Sequence, residues 1–577
     1  MPGFFGIVNN HKIDDITGYE IPCESYTPVI CDERKGDHYY VKRFVIPKFL
    51  NDKVFEENAK SFICTDGLLL NSQELKQKYQ VDTNFALIDS IYSHNGINGI
   101  SEIKGDFSGV ILNKTTNVWY IFTNHIGSKN IFYFFDEENQ ELIFGSDLKI
   151  IVAIMRKKGY PLDLSENGAY SLITFGYMTG DNTLLNNIKK IPPGSILIYS
   201  EGQINISQYY RLNSNPYITD SEEIIIKKLN SLFLDAIKLE YDKDLEYNYS
   251  HISTLSGGLD SRTNVITAMK AGYSNILCLC FSQSEYLDEI IAKRISSDNG
   301  FEFIFRSLDN GNYLKNIDEY TFVNEALTLY SGAAHAQSTL KLLDWKKLGL
   351  LHTGQIGDLV MGSYLFDKNH SPVNTDAIKN IAYSTTLLDK KLIKKFNFNQ
   401  NYENSEIFAF YERCVNGVFN GYRVIEQFTE FSSPFLDRDF LDYAMRIPPK
   451  YRYKEEIYLK WILSEIPEAS KYPWEKTGVR INAGLITLFF FRVFRFLKRK
   501  YQGQKYKDSM NPTEYWYRTN PGLKSVIEKY FDDHITLLNR YPSLMNDATT
   551  LFKNGTILEK TQVLTLLSGI KLYNLNK

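Results

Sequence analysis

The stretch HISTLSGGLDSR, residues 251–262, decides the fold of the central part of this 577-residue chain. It opens as a short apolar strand and leads into residues 263–270, which have the pattern of a helix. A second strand is predicted over residues 276–281 and a second helix over residues 288–296. Because strands that alternate with helices form parallel sheets, we predict an α/β domain with a parallel sheet here.

The loop SGGLDS, between the predicted strand and helix, has the composition of an anion-binding turn. Gly257 and Gly258 let the backbone close around an anion, and the amides at a helix start point toward it. Ser256 and Ser261 add hydroxyl donors, and Asp260 can hold a divalent ion that bridges to phosphate oxygens. The loop has no lysine, so it is not the GxxxxGK[ST] nucleotide loop. A glycine-rich turn without function is the alternative when the loop is taken alone.

The chain before this region has a different pattern. Short apolar runs such as residues 109–112 and 118–122 alternate with turn-rich pieces, which predicts β-hairpins. The pattern becomes helical over residues 222–239, with Ser221 as the expected N-cap, and it is almost wholly helical beyond residue 400. The predicted parts are a β-rich domain over 1–212, the α/β domain over 213–480 and a helical extension over 481–577.

Composition and charge exclude several classes of protein. Hydrophobic residues are 43% and charged residues 23%, which is typical of globular domains. A net charge of -3 provides no electrostatic footprint for nucleic acid, so we expect no nucleic-acid partner. Six cysteines are too few for a disulfide scaffold, and their spacing does not include a CxxC pattern. They are Cys23, Cys31, Cys64, Cys278, Cys280 and Cys414. The N-terminal MPGFFGIVNN does not read as a signal peptide, so a reduced, cytoplasmic protein is expected.

Residues 484–500, GLITLFFFRVFRFLKRK, form an unusual segment. On a helix its arginines and several apolar residues fall on opposite faces, with Arg492, Arg495 and Arg499 against Leu488, Phe491 and Phe494. Charge interrupts the segment too often for it to span a bilayer. Contact with a membrane surface or a partner is one interpretation. We predict instead the commoner arrangement, a packed helix with a solvated basic edge.

The loop SGGLDS resembles the pyrophosphate-binding PP-loop of the ATP pyrophosphatases, and most of the chain, to about Arg480, resembles the asparagine synthetase family. Three more segments resemble family motifs in the correct order: TGQIGDLVMGSY at 353–364, FSSPFLD at 431–437 and WEKTG at 474–478. The resemblance implies an N-terminal antiparallel β-sandwich like that of the N-terminal-nucleophile hydrolases. It also implies a parallel α/β PP-loop synthetase domain followed by a helical extension.

The same resemblance implies the site residues. Asp260 and Asp358 would hold Mg²⁺, because this ion prefers carboxylates and phosphate oxygens. The residues expected to bind ATP are Ser256, Gly257, Gly258, Ser261, Leu255, Leu279, Thr353 and Gly354. Lys460 would contact the departing pyrophosphate. Lys476 would stabilise the oxyanion that forms when an amine attacks the acyl-adenylate.

The N-terminal domain departs from the family at the residues that would hydrolyse glutamine. The family begins MCGIFG, and its exposed cysteine attacks glutamine, whereas Pro2 offers no nucleophile. Further residues of the family's glutaminase motifs are replaced at 66–71, at Asn84, at Ala86 and at 123–125. Arg43 is the one residue that resembles a retained ligand. We therefore predict that the glutaminase is inactive and that this domain is a structural remnant.

The synthetase part departs less. Gln355 stands where the family has a glutamate, and an amide cannot act as a general base. Leu359 replaces an acidic residue, and Arg262 replaces a small one. We expect ATP activation to survive these changes, whereas the amine and the carboxylate stay open.

The leading prediction is a ligase that adenylates a carboxylate with MgATP, releases pyrophosphate and forms an amide with ammonia or another amine. Asparagine is the default product of the family. Alternatives are an intramolecular ligase, as in β-lactam synthetase and lasso-peptide cyclases, and an enzyme that amidates sugar acids. Two further alternatives are disfavoured. A non-catalytic nucleotide-binding scaffold would be free to lose SGGLDS, which the chain retains. A tRNA-modifying enzyme would need a basic surface, which a net charge of -3 does not indicate. A homodimer is left open.

Overall fold

The computed structural model describes residues 2–11, 27–388, 396, 398, 402–503 and 506–575, so Cys23 lies outside the described residues. Two six-stranded antiparallel sheets form the N-terminal part. Their strands are β1 Gly3–Asn9, β2 Ile30–Lys35, β3 Tyr39–Val45, β4 Phe55–Glu57, β5 Ser61–Gly67, β6 Phe107–Asn113, β7 Val118–Thr123, β8 Phe132–Asp136, β9 Glu141–Gly145, β10 Lys189–Lys190, β11 Ser195–Ser200 and β12 Gln203–Gln208. The strand orders are β10-β8-β9-β1-β3-β2 and β12-β11-β7-β6-β5-β4.

The two sheets pack face to face because their strands alternate in the direction of their side chains. Phe4 and Val8 of β1 lie in a buried core with Val110 and Ile121 of the other sheet. Phe5, also in β1, points to the opposite face and joins a helical core. The helices of this part are α1 Ser72–Tyr79, α2 Asn84–Asn95, α3 Leu148–Lys157 and α4 Glu166–Phe175. The predicted antiparallel sheets are confirmed.

A five-stranded parallel sheet forms the middle of the chain, as predicted. Its strands are β13 Ser250–Thr254, β14 Leu277–Ser282, β15 Glu302–Ser307, β16 Leu348–His352 and β17 Phe431–Ser432. The order β15-β14-β13-β16-β17 places β14 on one side of β13 and β16 on the other. The order in which the chain adds strands to the sheet therefore reverses between β13 and β16, and a crevice opens at the carboxyl ends of these two strands.

Helices cover this sheet and continue to the end of the described chain. Those of the middle part are α5 Glu222–Glu246, α6 Leu259–Lys270, α7 Leu287–Asn299, α8 Ile317–Asn324, α9 Tyr330–Leu340, α10 Thr375–Ile381, α11 Ser405–Ala409, α12 Asn420–Tyr422, α13 Arg438–Met445, α14 Pro449–Arg452, α15 Glu456–Glu465 and α16 Pro467–Ser470. The expected cap of α5 is confirmed, because Ser221 accepts a hydrogen bond from the Ile224 amide. Helix α6 begins at Leu259, four residues before the predicted start, because Gly258 takes the extended N-cap conformation.

The last helices are α17 Leu485–Gln502, α18 Thr513–Thr519, α19 Pro521–His534, α20 Pro542–Asn554 and α21 Ile557–Tyr573. Helix α21 is buried between α4 and α8. Its Gln562 donates to the carbonyls of Leu172 and Thr174, and its Tyr573 hydroxyl donates to the Glu325 carbonyl at 2.9 Å. The C-terminal helices thus share one hydrophobic core with both preceding parts of the chain.

Helix α17 differs from the others because its apolar side chains point outward. Leu488 is 2% exposed, whereas Phe490, Phe494 and Leu497 are more than half exposed. The prediction of a packed helix with a solvated basic edge is therefore wrong. The physical reason is that acidic residues on the body of the protein bind the basic face, as Glu455 binds Arg492. Across the described ranges we find no helix with the length and apolar character needed to cross a bilayer.

Candidate active site

A cavity of about 440 Å³ opens at the carboxyl ends of β13, β14 and β16. Nine of the residues predicted for the site line it: Leu255, Ser256, Gly258, Asp260, Ser261, Leu279, Thr353, Gly354 and Gln355. They come from three separate segments of sequence, which the parallel sheet brings to one edge. The cavity therefore lies at the position where parallel α/β sheets bind ligands.

The SGGLDS loop is held by hydrogen bonds within itself and to one neighbouring helix. The Ser256 amide donates to Ser261 Oγ at 3.0 Å, and the Gly258 amide donates to Ser256 Oγ at 3.1 Å. The Gly257 amide donates to Asp288 Oδ1 at 2.8 Å. No side chain within the described residues caps the N-terminus of α6. The first turn of this helix thus leaves amide donors and a positive dipole end for an anion.

The loop after β16 contacts the SGGLDS loop so closely that two glycines are required. A Cβ atom added at Gly354 would lie 2.2 Å from the Asp260 carbonyl carbon, and one at Gly357 would lie 2.8 Å from Asp260 Cγ. The Asp358 amide donates to Asp260 Oδ2 at 3.0 Å. The Tyr458 hydroxyl donates to Asp260 Oδ1 at 2.7 Å. Sequence reasoning missed Tyr458, which reaches the site from a helix about 200 residues further along the chain.

Burial and the nearby charge of Asp358 raise the pKa of Asp260 to about 8. Two carboxyl groups this close repel each other when both are ionised, unless a cation lies between them. Both side chains offer oxygen ligands, which magnesium prefers. The donor set of Asp260 and Asp358 therefore fits a magnesium ion.

Two polar side chains in the cavity lack partners. Gln355 is 8% exposed, and neither its amide nitrogen nor its amide oxygen has a hydrogen-bond partner among the described residues. His335 lines the same cavity, and its Nδ1 is likewise unpaired within the described chain. Burial lowers the pKa of His335 to about 4, so the ring is neutral at pH 7. Unpaired buried groups are costly, so these two side chains are available to hydrogen-bond a ligand in the cavity. No sequence signal singled out His335.

The two predicted lysines occupy different places. Lys476 Nζ lies 3.1 Å from both carboxylate oxygens of Glu455, and the amide of the preceding Glu475 donates to the Gly257 carbonyl. Lys476 is thereby fixed beside the SGGLDS loop. Neither lysine is among the residues that line the cavity. Lys460 Nζ is 2.7 Å from Glu222 Oε2. It projects from a different face of α15 than Tyr458, since residues two apart point about 200° from each other on a helix.

Arg262, which the sequence marked only as a departure from the family, connects the loop to the segment that carries Lys476. Its guanidinium is fully buried and donates to four backbone carbonyls. These belong to Gly257, Ala469, Tyr472 and Pro473, at 2.7–3.2 Å. The two segments are therefore held in a fixed relative position.

In the N-terminal domain, the one side chain that resembles a retained glutaminase ligand is bound by the protein itself. Gly6, a glycine that the family also has in MCGIFG, packs under the Phe144 ring of the neighbouring strand β9, where a Cβ atom would lie 2.3 Å from Cζ. Arg43 donates from Nε to Asp32 Oδ2 at 3.1 Å and also to the Lys53 carbonyl. Its guanidinium is occupied by the protein itself.

Asp66 belongs to a buried charged network that joins the two domains. It lies 3.8 Å from Lys129 Nζ, which is 3.0 Å from Glu426 and 2.6 Å from Glu430. Glu430 also binds Lys53 at 2.7 Å. Burial raises the pKa of Glu430, whereas Lys129 and Lys53 lower it by more, so that the pKa falls to about 2. The side chains of this region thus serve as an interface.

The fold and the site together define a two-part protein, with an amidotransferase-type domain before a parallel α/β domain. Residues 51–210 match the glutamine amidotransferase domain family. The chain is 23% identical over 436 residues to a putative asparagine synthetase (glutamine-hydrolyzing) 2 of Methanocaldococcus jannaschii, covering 71% of this chain and 75% of that protein. It is 22% identical over 432 residues to a probable asparagine synthetase (glutamine-hydrolyzing) of Acanthamoeba polyphaga mimivirus, covering 71% and 70%. These findings support a member of the asparagine synthetase family.

A solved structure that matches part of the chain is the glutamine phosphoribosylpyrophosphate amidotransferase of Bacillus subtilis complexed with ADP and GMP. It covers 52% of this chain and 65% of its own, at 10% identity and a TM-score of 0.25. The family assignment rests on the sequence relatives and not on this likeness.

Proposed function

We propose that this protein is an ATP-dependent ligase that converts a carboxylate into an acyl-adenylate, releases pyrophosphate and passes the acyl group to an amine. The observation that carries the proposal is the cavity where the SGGLDS loop and the 353–358 loop meet at the switch point of the sheet. The sequence relatives, which are named as asparagine synthetases, support the same class of reaction. We assign the reaction to the cytoplasm, where ATP is supplied.

The nucleotide would occupy the part of the cavity that the SGGLDS loop lines. Its phosphates would accept hydrogen bonds from the uncapped start of α6 and from the hydroxyls of Ser256 and Ser261. Leu255 and Leu279 would border the adenosine. Asp260 and Asp358 would hold a magnesium ion, which supplies positive charge to the phosphates.

The amide is formed in the second half-reaction. The amine nitrogen attacks the acyl carbon, AMP leaves with the electrons of the broken C–O bond, and the amine loses a proton. Lys476, fixed by Glu455 beside the loop, would stabilise negative charge on the acyl oxygen. Gln355 would orient the acceptor by hydrogen bonds, because its amide both donates and accepts but cannot take the proton.

The amine would come from solution or from the substrate itself. Pro2 has no side-chain nucleophile, and Arg43 is bound to Asp32. These observations support a ligase without its own glutaminase. They leave ammonia, an amine within the same substrate and the amidation of a sugar acid as acceptor chemistries.

The test is an assay of the full-length protein with MgATP and aspartate, with ammonium or glutamine supplied in parallel. AMP, pyrophosphate, asparagine and glutamate are quantified. Asparagine from ammonium without glutamate from glutamine would support the default product. If no asparagine forms, pyrophosphate release is measured with sugar acids and with peptides that carry an amine. ATP binding without pyrophosphate release from any carboxylate would overturn the ligase in favour of a scaffold.

A matched pair of lysine variants tests the amide-forming step. Lys476 and Lys270 are similarly exposed, 40% and 39%, and each binds a glutamate at 3.1 Å. Lys476→Met is expected to slow amide formation about 10²-fold while ATP–pyrophosphate exchange persists, because only the second half-reaction loses its positive charge. Lys270→Met is the control and should leave both rates unchanged. Equal losses in the two variants would contradict the assignment.

A further inference from the structure

Helix α17 exposes the largest group of apolar side chains in the described chain. Nine of the twenty large hydrophobic residues that are exposed among the described residues fall on this one helix. The most exposed are Ile486, Phe490, Phe494, Phe496, Leu497 and Tyr501, at 55–93%. A contiguous apolar face of this kind is rare on a soluble surface and marks an interaction site.

The orientation of α17 is fixed by its basic face. Arg492 binds Glu455 at 2.9 Å and lies over the Trp474 ring at 4.8 Å. Lys498 forms an ion pair with Asp508. Because these contacts hold the polar side of the helix against the protein, the apolar side faces outward as part of the native arrangement.

Positive charge surrounds the apolar face. Residues 471–510 contain ten basic residues and two acidic residues, in a chain whose net charge is -3. Arg499 and Lys500 are exposed at the end of the helix, and the exposed Lys454 lies 5.3 Å from the Phe489 ring. A face rich in phenylalanine with a rim of lysine and arginine is the pattern of helices that lie in a membrane interface.

We propose that α17 docks this protein on the surface of an anionic membrane, with the helix lying in the interface and its apolar face in the lipid. Charge complementarity favours lipid over a second copy of the chain, because a symmetric contact would bring two basic rims together. With 18 residues the helix is about 27 Å long and lies flat on the surface. This inference is independent of the ligase function, because lipid binding is measured without turnover.

The experiment is flotation of the full chain with vesicles of phosphatidylcholine alone or with added phosphatidylglycerol. We expect the protein to float with the anionic vesicles and to be released as the salt concentration rises. Phe490→Asp/Leu497→Asp should lower the bound fraction about tenfold or more, because charge replaces the apolar face. The control Phe366→Asp/Leu342→Asp changes two side chains of similar exposure elsewhere and should bind like the parent.

A second pair tests the charged rim. Arg499→Glu/Lys500→Glu should weaken binding to anionic vesicles, and Lys346→Glu/Lys347→Glu, an exposed pair on another surface, should not. The proposal is overturned if the parent protein does not float with anionic vesicles, or if each variant binds as its control does. It is also overturned if the parent sediments as a dimer that Phe490→Asp/Leu497→Asp dissociates, since a second copy would then cover the face.

Discussion

The N-terminal domain and the parallel α/β domain each contain a region where the family carries chemistry, and the two regions differ in how their polar groups are paired. At the N-terminal region, Arg43 is bound to Asp32, and Lys129 is bound to Glu426 and Glu430. In the cavity of the parallel sheet, Gln355 and His335 keep polar atoms without a described partner. Pairing is not complete in the N-terminal region, where Asp66 Oδ1 and Asn84 Oδ1 also lack a described partner, but its basic side chains Arg43 and Lys129 bind carboxylates of the protein itself.

The largest expected effect tests the paired side of this comparison. Lys129→Met leaves Glu426 and Glu430 buried without this cation, and an uncompensated buried charge costs about 3–5 kcal/mol. We expect the free energy of unfolding, measured in urea, to fall by that amount. Lys227→Met, which breaks an exposed pair with Glu223, is the control and should leave it nearly unchanged. A loss as small as that of the control would show that the network contributes little.

The next effect tests the unpaired side. Asp260→Asn removes a charge that would hold the magnesium ion, so ATP–pyrophosphate exchange should fall about 10²–10³-fold with little change in stability. Asp32→Asn, in the N-terminal pair, is the matched control and should leave exchange unchanged. If Asp260→Asn retains normal exchange, the cavity is not the nucleotide site.

A smaller effect, on the pH dependence of stability, is expected at His352 in β16. Burial disfavours the charged form of His352, but Asp244 and Glu240 outweigh it and raise its pKa to about 9. A raised pKa stabilises the folded state below the ordinary value of 6.5, and the stabilisation is lost as the pH rises through 9. The stability difference between the parent and His352→Gln should therefore shrink by up to about 3 kcal/mol between pH 6 and pH 10.

Thermal and urea unfolding across this pH range measure the His352 effect. His38→Gln, on an exposed residue, is the control and should show no such trend. A stability difference that grows toward high pH would mean that the ring is neutral in the folded state.

The last prediction is that a cysteine at position 2 leaves glutamine hydrolysis unchanged. Pro2→Cys restores a thiol at the family position, but Arg43 stays bound to Asp32. Glutamate release from glutamine should therefore stay at the background rate. The parent protein and a cysteine-containing family member run in parallel give the lower and upper limits, and measurable glutamate from the variant would show that the pocket is intact.

Local patterns in the sequence predicted the parallel sheet and the cavity loops, because strand, glycine turn and helix follow one another within a few residues. Contacts between distant segments were not predictable in this way. Tyr458 and Lys460 are two residues apart on α15, yet only Tyr458 reaches Asp260. Helix α17 is amphipathic in sequence, but the period does not say which face meets the protein. That choice depends on Glu455, which lies 37 residues before Arg492.

Helix α21 makes the N-terminal domain part of the folding of the rest of the chain. Its buried Gln562 hydrogen-bonds to Leu172 and Thr174 of the N-terminal domain, and its Tyr573 hydrogen-bonds to Glu325 of the next one. Removing the N-terminal domain would strip one wall from this shared core and expose the apolar side of α21 to water. The chain thus depends on this domain as a scaffold: single substitutions could change its chemistry one residue at a time, but a deletion would cost the folding of the rest.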